Sequence, residues 1–212
     1  VGRQEEITAQ YDRVAPWYRA LSPFFLINPW LRRRAVRAMG LRPGSAVLEV
    51  GVGSGRNLPF LLDAVGPGGS VVGVDLSPGM LAEARKVVAK RGATNVTLIQ
   101  ADASAVEIDG EFDAALFSLS YSVIPEDVRP RAVTRAWDRL RPGGRLVILD
   151  GGLTRTRLRR LIEPFVRLLT RLGPGDPDID PRDDLARYGE VVGERILLDI
   201  YFVYTVTRPA TA

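Results

Sequence analysis

Five short runs rich in β-branched and aliphatic residues recur along the chain, at 45–50, 70–75, 95–100, 112–118 and 144–150. Stretches of helical character lie at 57–65, 78–91 and 127–140. Strand and helix in alternation imply a parallel sheet covered by helices on both faces. Right-handed crossovers then leave few topologies. The stretch 78–91 carries its own punctuation. Ser77 stands at the N-cap, Pro78 opens the first turn, and Lys90, Arg91 and Gly92 close it. Further on, "VVGERILL" and "IYFVYTV" meet at Asp199, close enough to form an antiparallel hairpin. The expectation is an α/β fold: a doubly wound, seven-stranded, mostly parallel sheet ending in a C-terminal antiparallel hairpin.

The flanks read differently. Residues 1–44 begin with aromatics and prolines and turn helical, as "YDRVAPWYRALSPFFLINPWLRRRAVRAMG" shows. They are expected to form a helical cap, packed as one unit with a main domain over 45–212. The segment 153–172 places Leu158, Leu161, Ile162, Phe165, Leu169 and Leu172 on one stripe, with Pro164 set to kink or split the helix. Its arginines, at 155, 157, 159, 160, 167 and 171, leave two readings open. One is an interfacial helix resting on anionic lipid as a peripheral membrane contact; the other is a lid helix whose charged face is solvated. Arg32, Arg33 and Arg34 carry the same ambiguity. "GPGDPDIDPRDD" reads as a loop.

Composition matters most through what is missing. With no Cys and no His in 212 residues, disulfides, thiolate nucleophiles, imidazole bases and Ser-His-Asp triads are excluded, and no metal site is expected. Acid–base work would fall to carboxylates, Tyr, water or the substrate. The net charge of +4 is modest. The first residues lack an apolar signal core and no run is long enough for a bilayer, which points to a cytoplasmic protein.

The chemistry gathers behind the first strand. "VLEVGVGSGRNLPFL" spaces Gly51, Gly53 and Gly55 alternately between strand and helix. A turn of that kind lets backbone approach a ligand while helix N–H groups point at it. A dinucleotide fingerprint would want glycine or alanine where Arg56 stands. Glu49 precedes the loop, and Asp75 ends strand two, where a carboxylate can accept both ribose hydroxyls. Either acid could instead cap a neighbouring turn. Asp102, closing strand three, suits an exocyclic adenine amine with the Ala103 backbone beside it, or equally a helix cap. Leu76 and Met80 could flank the adenine or belong to the core.

These motifs, with "VVGVDLSPGMLAEAR", "LIQADAS", "FDAALFSLSYSVIPE" and "LRPGGRLVILD", resemble in kind and order the class I S-adenosylmethionine-dependent methyltransferases, which have a Rossmann-like fold. The resemblance covers about 45–150. It implies that S-adenosylmethionine is the cofactor and S-adenosylhomocysteine the product. It implies that Glu49, Gly51, Gly53 and Gly55 hold the methionine half, with Asn57 grouped among the cofactor contacts. Asp75 is implied for the ribose, Asp102 for the adenine, and Ser118 and Leu119 beside the sulfonium. "ITAQYDRVAPWYRAL" looks like the opening of the quinone-biosynthesis C-methyltransferases and related phospholipid N-methyltransferases. Tyr11, Asp12, Ala15 and Tyr18 match that pattern, whereas Arg19 replaces its second acid. Tyr11 and Tyr18 are therefore candidate catalytic-site residues, joined by Tyr121 after strand four. Trp17 is a further candidate wall, and Asp12 and Asp150 are alternative bases.

The leading expectation is methyl transfer to a small or lipid-like acceptor, with a quinone ring carbon or a phospholipid amine favoured and a soluble small molecule next. A nicotinamide-dependent oxidoreductase on the same type of sheet is the main alternative from another class, and Arg56 counts against it. A nucleic-acid methyltransferase is less well supported, because "SLSYS" stands where an Asn-Pro-Pro-aromatic motif would follow strand four. A non-catalytic cofactor-binding subunit is a fourth class, with the intact acids and glycines against it.

Overall fold

In a computed structural model of the chain, the described residues are 29–152, 163, 176, 178–197 and 199–210. In chain order they form α1 (Pro29–Ala38), β1 (Ala46–Val50), α2 (Leu58–Val65), β2 (Ser70–Asp75), α3 (Pro78–Arg91), β3 (Val96–Gln100), β4 (Phe112–Ser118), α4 (Arg129–Asp138), β5 (Leu140–Gly151), α5 (Arg182–Leu185), β6 (Val191–Ile196) and β7 (Tyr201–Thr207). The cap candidates Tyr11, Asp12, Trp17 and Tyr18 lie outside the described residues. So does the 153–172 helix, apart from Glu163.

The strands make one seven-stranded sheet in the order β3-β2-β1-β4-β5-β7-β6. Every pair from β3 to β5 is parallel. β7 runs antiparallel to both β5 and β6. The expected class and the C-terminal hairpin both stand. β1 lies between β2 and β4, so the chain's direction of winding reverses beside it. A crevice opens at such a switch, beyond the carboxyl ends of the strands.

Side-chain alternation along the central strands builds two cores. Val47, Val71, Ala114, Leu116, Val147 and Leu149 face α1, α2 and α3. Leu48, Val74, Ala115, Phe117, Leu146 and Ile148 face α4 and the short α5. Both faces are covered, which is why these strands read as continuous apolar runs rather than alternating ones. The sheet's parity also places Glu49 on the α1–α2 side, two residues along from Val47.

Helix α3 keeps the bounds its punctuation suggested. Ser77 Oγ accepts from the Met80 N–H at 3.0 Å, and Gly92 adopts a left-handed φ of 59° at the C-terminal end. Two elements differ from expectation. β5 starts at Leu140 rather than 144, because a register shift between Phe112 and Ala114 lets Leu140 pair across a bulge. The loop expected over 173–184 contains the start of α5, which buries Leu185 in the core.

Candidate functional site

A cavity sits at the switch point, walled by the residues that follow β1, β2, β3 and β4. Its floor is the loop 51–57, and the three glycines in that loop do three different things. Gly51 adopts φ +72°, and a Cβ there would lie 2.4 Å from the Ser120 Cβ. This glycine lets the ends of β1 and β4 close together. Gly53 faces open space and donates its N–H to Asp75 Oδ2 at 2.7 Å. Gly55 does not line the cavity; a Cβ there would meet Leu58 Cδ1 at 2.8 Å and Ala84 Cα at 3.0 Å. The third glycine serves contact between α2 and α3, away from the cavity lining where the other two lie.

Asp75, Leu76, Met80, Asp102, Ala103, Ser118 and Leu119 all line the cavity, as does Asn57. The two acids combine the alternatives their positions left open. Asp75 Oδ1 accepts from the Ser77 N–H at 2.9 Å, and its other oxygen holds the glycine loop. Asp102 Oδ1 accepts from the Ser104 N–H at 2.8 Å and so shapes the following turn. Each carboxylate is anchored by backbone donors, and each still faces the cavity. Leu119 carries φ +57°, a left-handed conformation that costs a non-glycine residue about 1–3 kcal/mol. Its N–H donates to the Leu149 carbonyl at 2.7 Å, which fixes the turn at the cavity's edge.

Glu49 is fully buried and stands behind the wall rather than on it. Its Oε1 accepts from Asn57 Nδ2, while Oε2 is buried with no hydrogen-bond partner. Burial pushes its carboxyl up to about 7; the Asn57 hydrogen bond and the Arg32 charge oppose that rise, and the Asp75 charge adds to it. Asn57 Oδ1 in turn accepts from Arg32 Nη1 at 2.8 Å. Arg32 lies on the buried side of α1 with Leu31, Ala35 and Val36, and it lines the cavity.

Tyr121 does not reach the cavity and does not support its expected catalytic role. Its ring is fully buried, edge-on to Phe117, with the Arg129 guanidinium over the face. Its hydroxyl donates to Asp184 Oδ2 at 2.6 Å. Burial first, and then that hydrogen bond, drive the phenol far above its ordinary range, so it makes a poor base. The alternative base Asp150 is similarly committed. It accepts from Ser122 N at 2.9 Å, Ser122 Oγ at 3.0 Å and Gly151 N at 2.8 Å. Burial raises its carboxyl despite those bonds.

Several lining residues were not singled out as contacts by the sequence. Ser54, Arg32, Arg56, Val123, Ile124 and Val128 are among them. Ser54 Oγ, Arg56 Nη1 and Ser118 Oγ are buried and lack hydrogen-bond partners. Buried polar atoms are nearly always paired, so three orphans around one cavity mark where a polar ligand fits. One signal was available for Arg32: it falls in the apolar period of α1, whereas Arg33 is exposed over the Phe60 ring. Arg34 pairs through Nε and Nη2 with the two carboxylate oxygens of Glu194 on β6, which resolves the triple-arginine cluster into three separate jobs.

Among the described residues, no helix is long and apolar enough to cross a membrane. Nor does any group of three or more acidic side chains there form a candidate metal site.

Comparison with known proteins agrees with this geometry. Residues 47–144 match the model of a methyltransferase domain family. The chain is 33% identical over 144 residues to the aklanonic acid methyltransferase of Streptomyces sp. strain C5, covering 68% of this chain and 64% of that protein. It is 30% identical over 175 residues to the ubiquinone/menaquinone biosynthesis C-methyltransferase of Geobacter sulfurreducens, covering 80% of this chain and 68% of that one. It thus spans under two thirds of the first relative's length and slightly more of the second's. The crystal structure of a SAM-dependent methyltransferase from Aquifex aeolicus superposes with a TM-score of 0.59 at 20% identity, covering 83% of this chain and 88% of that one.

Proposed function

The chain belongs to the class I S-adenosylmethionine-dependent methyltransferases, and from that premise we propose that it methylates a small or lipid-like acceptor with a quinone-like or polyketide-like ring. The observation that carries this reading is the cavity wall at the β1–β4 switch. Carboxylates at the ends of β2 and β3 and orphaned polar atoms on the glycine loop and β4 suit a ligand with an adenosyl end and a zwitterionic end.

The residues present fit the cofactor. Asp75 would accept the ribose hydroxyls; its carboxylate is already held in place by two backbone N–H groups. Asp102 and the Ala103 backbone would take the adenine edge, with Leu76 and Met80 against its faces. Ser54 Oγ and the buried Arg56 Nη1 are donors for the methionine carboxylate. Ser118 and Leu119 would border the sulfonium. When bound, the cofactor supplies a methyl group already activated for in-line attack. What remains for the protein is to position the acceptor and to exclude water. No covalent nucleophile is required, consistent with a chain that has neither His nor Cys.

For the acceptor, the cavity wall following β4 is Leu119, Ser120, Val123, Ile124 and Pro125. Among the described lining residues the carboxylates are Asp75 and Asp102, both assigned here to the adenosyl end. An apolar ring is thus favoured over a cationic phospholipid amine. The names of the relatives, a quinone C-methyltransferase and an aklanonic acid methyltransferase, support the same choice. Residues 1–44 are read as a cap over this opening, in keeping with Arg32 on the cavity wall, and Tyr11 and Tyr18 remain its candidate acceptor contacts.

The test is incubation with methyl-labelled S-adenosylmethionine against three acceptors: a demethylated naphthoquinol, an aromatic polyketide acid and phosphatidylethanolamine vesicles. Label is expected in one of the ring acceptors. Label in the phospholipid alone would overturn the acceptor assignment.

A further inference from the structure

The acid that opens the glycine motif is not on the cavity wall, although two of its neighbours in a hydrogen-bonded chain are. Glu49, Asn57 and Arg32 are linked in series, 0%, 2% and 7% exposed, and they come from β1, the turn before α2, and α1. Asn57 occupies the position where an asparagine side chain ordinarily caps the following helix. It makes no capping bond. Its amide instead spends the nitrogen on Glu49 and the oxygen on Arg32.

An amide has a donor end and an acceptor end, so what meets one end dictates what the other can bind. An oxygen acceptor at position 49 holds Asn57 Nδ2 and so turns Oδ1 toward α1. Only in that orientation can Asn57 receive a guanidinium N–H; reversed, two donors would face each other across a buried contact. We propose that Glu49 does not hold the ligand itself but sets the polarity of Asn57, which thereby aims Arg32 from α1 at the methionine carboxylate of the cofactor.

Glu49 and Asn57 are then positioning residues, and Arg32 the residue that meets the ligand beside Arg56. This rests on the cofactor reading above and departs from a direct role for the motif's acid. Arg32 in such a place gives preference for a nucleoside that carries a carboxylate.

Calorimetry with three ligands separates the possibilities: S-adenosylhomocysteine, its decarboxylated amine analogue, and 5′-methylthioadenosine, which lacks the whole amino-acid tail. Arg32→Met should weaken S-adenosylhomocysteine by at least about tenfold, as the loss of one charge-assisted bond requires, and leave the other two within about twofold. Arg32→Lys should recover part of that loss. Asn57→Ala should follow Arg32→Met. Glu49→Gln keeps an oxygen to receive Asn57 Nδ2 and should stay within about threefold of the parent for all three ligands, whereas Glu49→Leu should behave like Asn57→Ala. Retained methylthioadenosine binding certifies that each variant is folded.

If Glu49→Gln weakens S-adenosylhomocysteine and its amine analogue together, Glu49 meets the ammonium directly and the relay is wrong. Equal loss of methylthioadenosine in Arg32→Met would reduce Arg32 to a structural part. Should none of the three bind the parent protein, the cofactor reading falls first, and this inference with it.

Discussion

The two ends of the cavity are built by different means. At the end proposed for the adenosyl group, Asp75 and Asp102 each sit where a strand finishes, and each is held by the N–H of a residue two positions on. The Ser77 and Ser104 donors lie within each acid's own loop, and Asp75 also accepts from the Gly53 N–H of the loop after β1. At the end proposed for the methionine group the wall includes a buried chain that starts in β1 and finishes on a helix 25 residues from Asn57. One end is anchored by backbone donors in the loops that follow the strands. The other is a tertiary product, correct only when α1, α2 and β1 are all in register. Ligand recognition can therefore fail at the methionine end while the adenosyl end remains intact.

The strongest test of this contrast is Asp75→Ala. That carboxylate braces Gly53 as well as facing the ligand, so its loss should cost every nucleoside ligand about a hundredfold or more by calorimetry, tail or no tail. A loss confined to ligands with the amino-acid tail would erase the distinction between the ends. Next in size is Gly55→Val. A side chain there collides with α3 at a left-handed φ, and chemical denaturation should show about 2–4 kcal/mol of destabilisation. Nucleoside affinity of the folded fraction should change little, because position 55 does not line the cavity. A stable variant that cannot bind would return Gly55 to the ligand site.

The third test uses pH. Glu49 in the folded protein is raised from 4.5 to about 7, so the folded state keeps a proton that the unfolded chain releases. That contribution to stability is complete below 4.5 and is lost as pH rises through about 7. Glu49→Gln has no such proton to lose. Relative to the parent it should gain about 3 kcal/mol between pH 4 and pH 8, read from denaturant midpoints. A difference that stays flat with pH would remove Glu49 as a buried titrating group. The smallest effect is expected for Asp102→Asn. An amide can keep the Ser104 turn, so S-adenosylhomocysteine and methylthioadenosine should weaken alike, by about three- to tenfold.

The same contrast explains what could be read in advance. The sheet, its order of winding and the hairpin were legible because apolar runs and turn residues are local signals. Asp75, Asp102, Leu76 and Ala103 were legible too, since strand ends at a switch point deliver side chains to the crevice whatever the helices do. Glu49 was found as a residue, and the structure places it behind the cavity wall. Linear sequence shows an acid beside glycines but not which side of the wall it occupies. Tyr121 misled for the opposite reason: aromatic rings after β4 suit an acceptor site, yet this one is captured by Phe117, Arg129 and Asp184. Its hydroxyl partner lies 63 residues away, beyond any local pattern. Arg32 was hidden within a run of three arginines, where only helical phase distinguishes the buried one.

The docking of α1 has a consequence for how the protein is made. This helix packs against β4, β5 and β7 as well as α2, and its Arg34 reaches Glu194 on β6. The ribosome delivers α1 ahead of every strand in the sheet, but its berth is complete only after residues near 207 have emerged and β7 has entered between β5 and β6. Long-range closure of this kind comes late in folding. On the assignment proposed for the two ends, a nascent chain can thus assemble the adenosyl half of its site before the methionine half. A product terminated before β7 would then carry the proposed nucleoside walls with α1 incompletely docked.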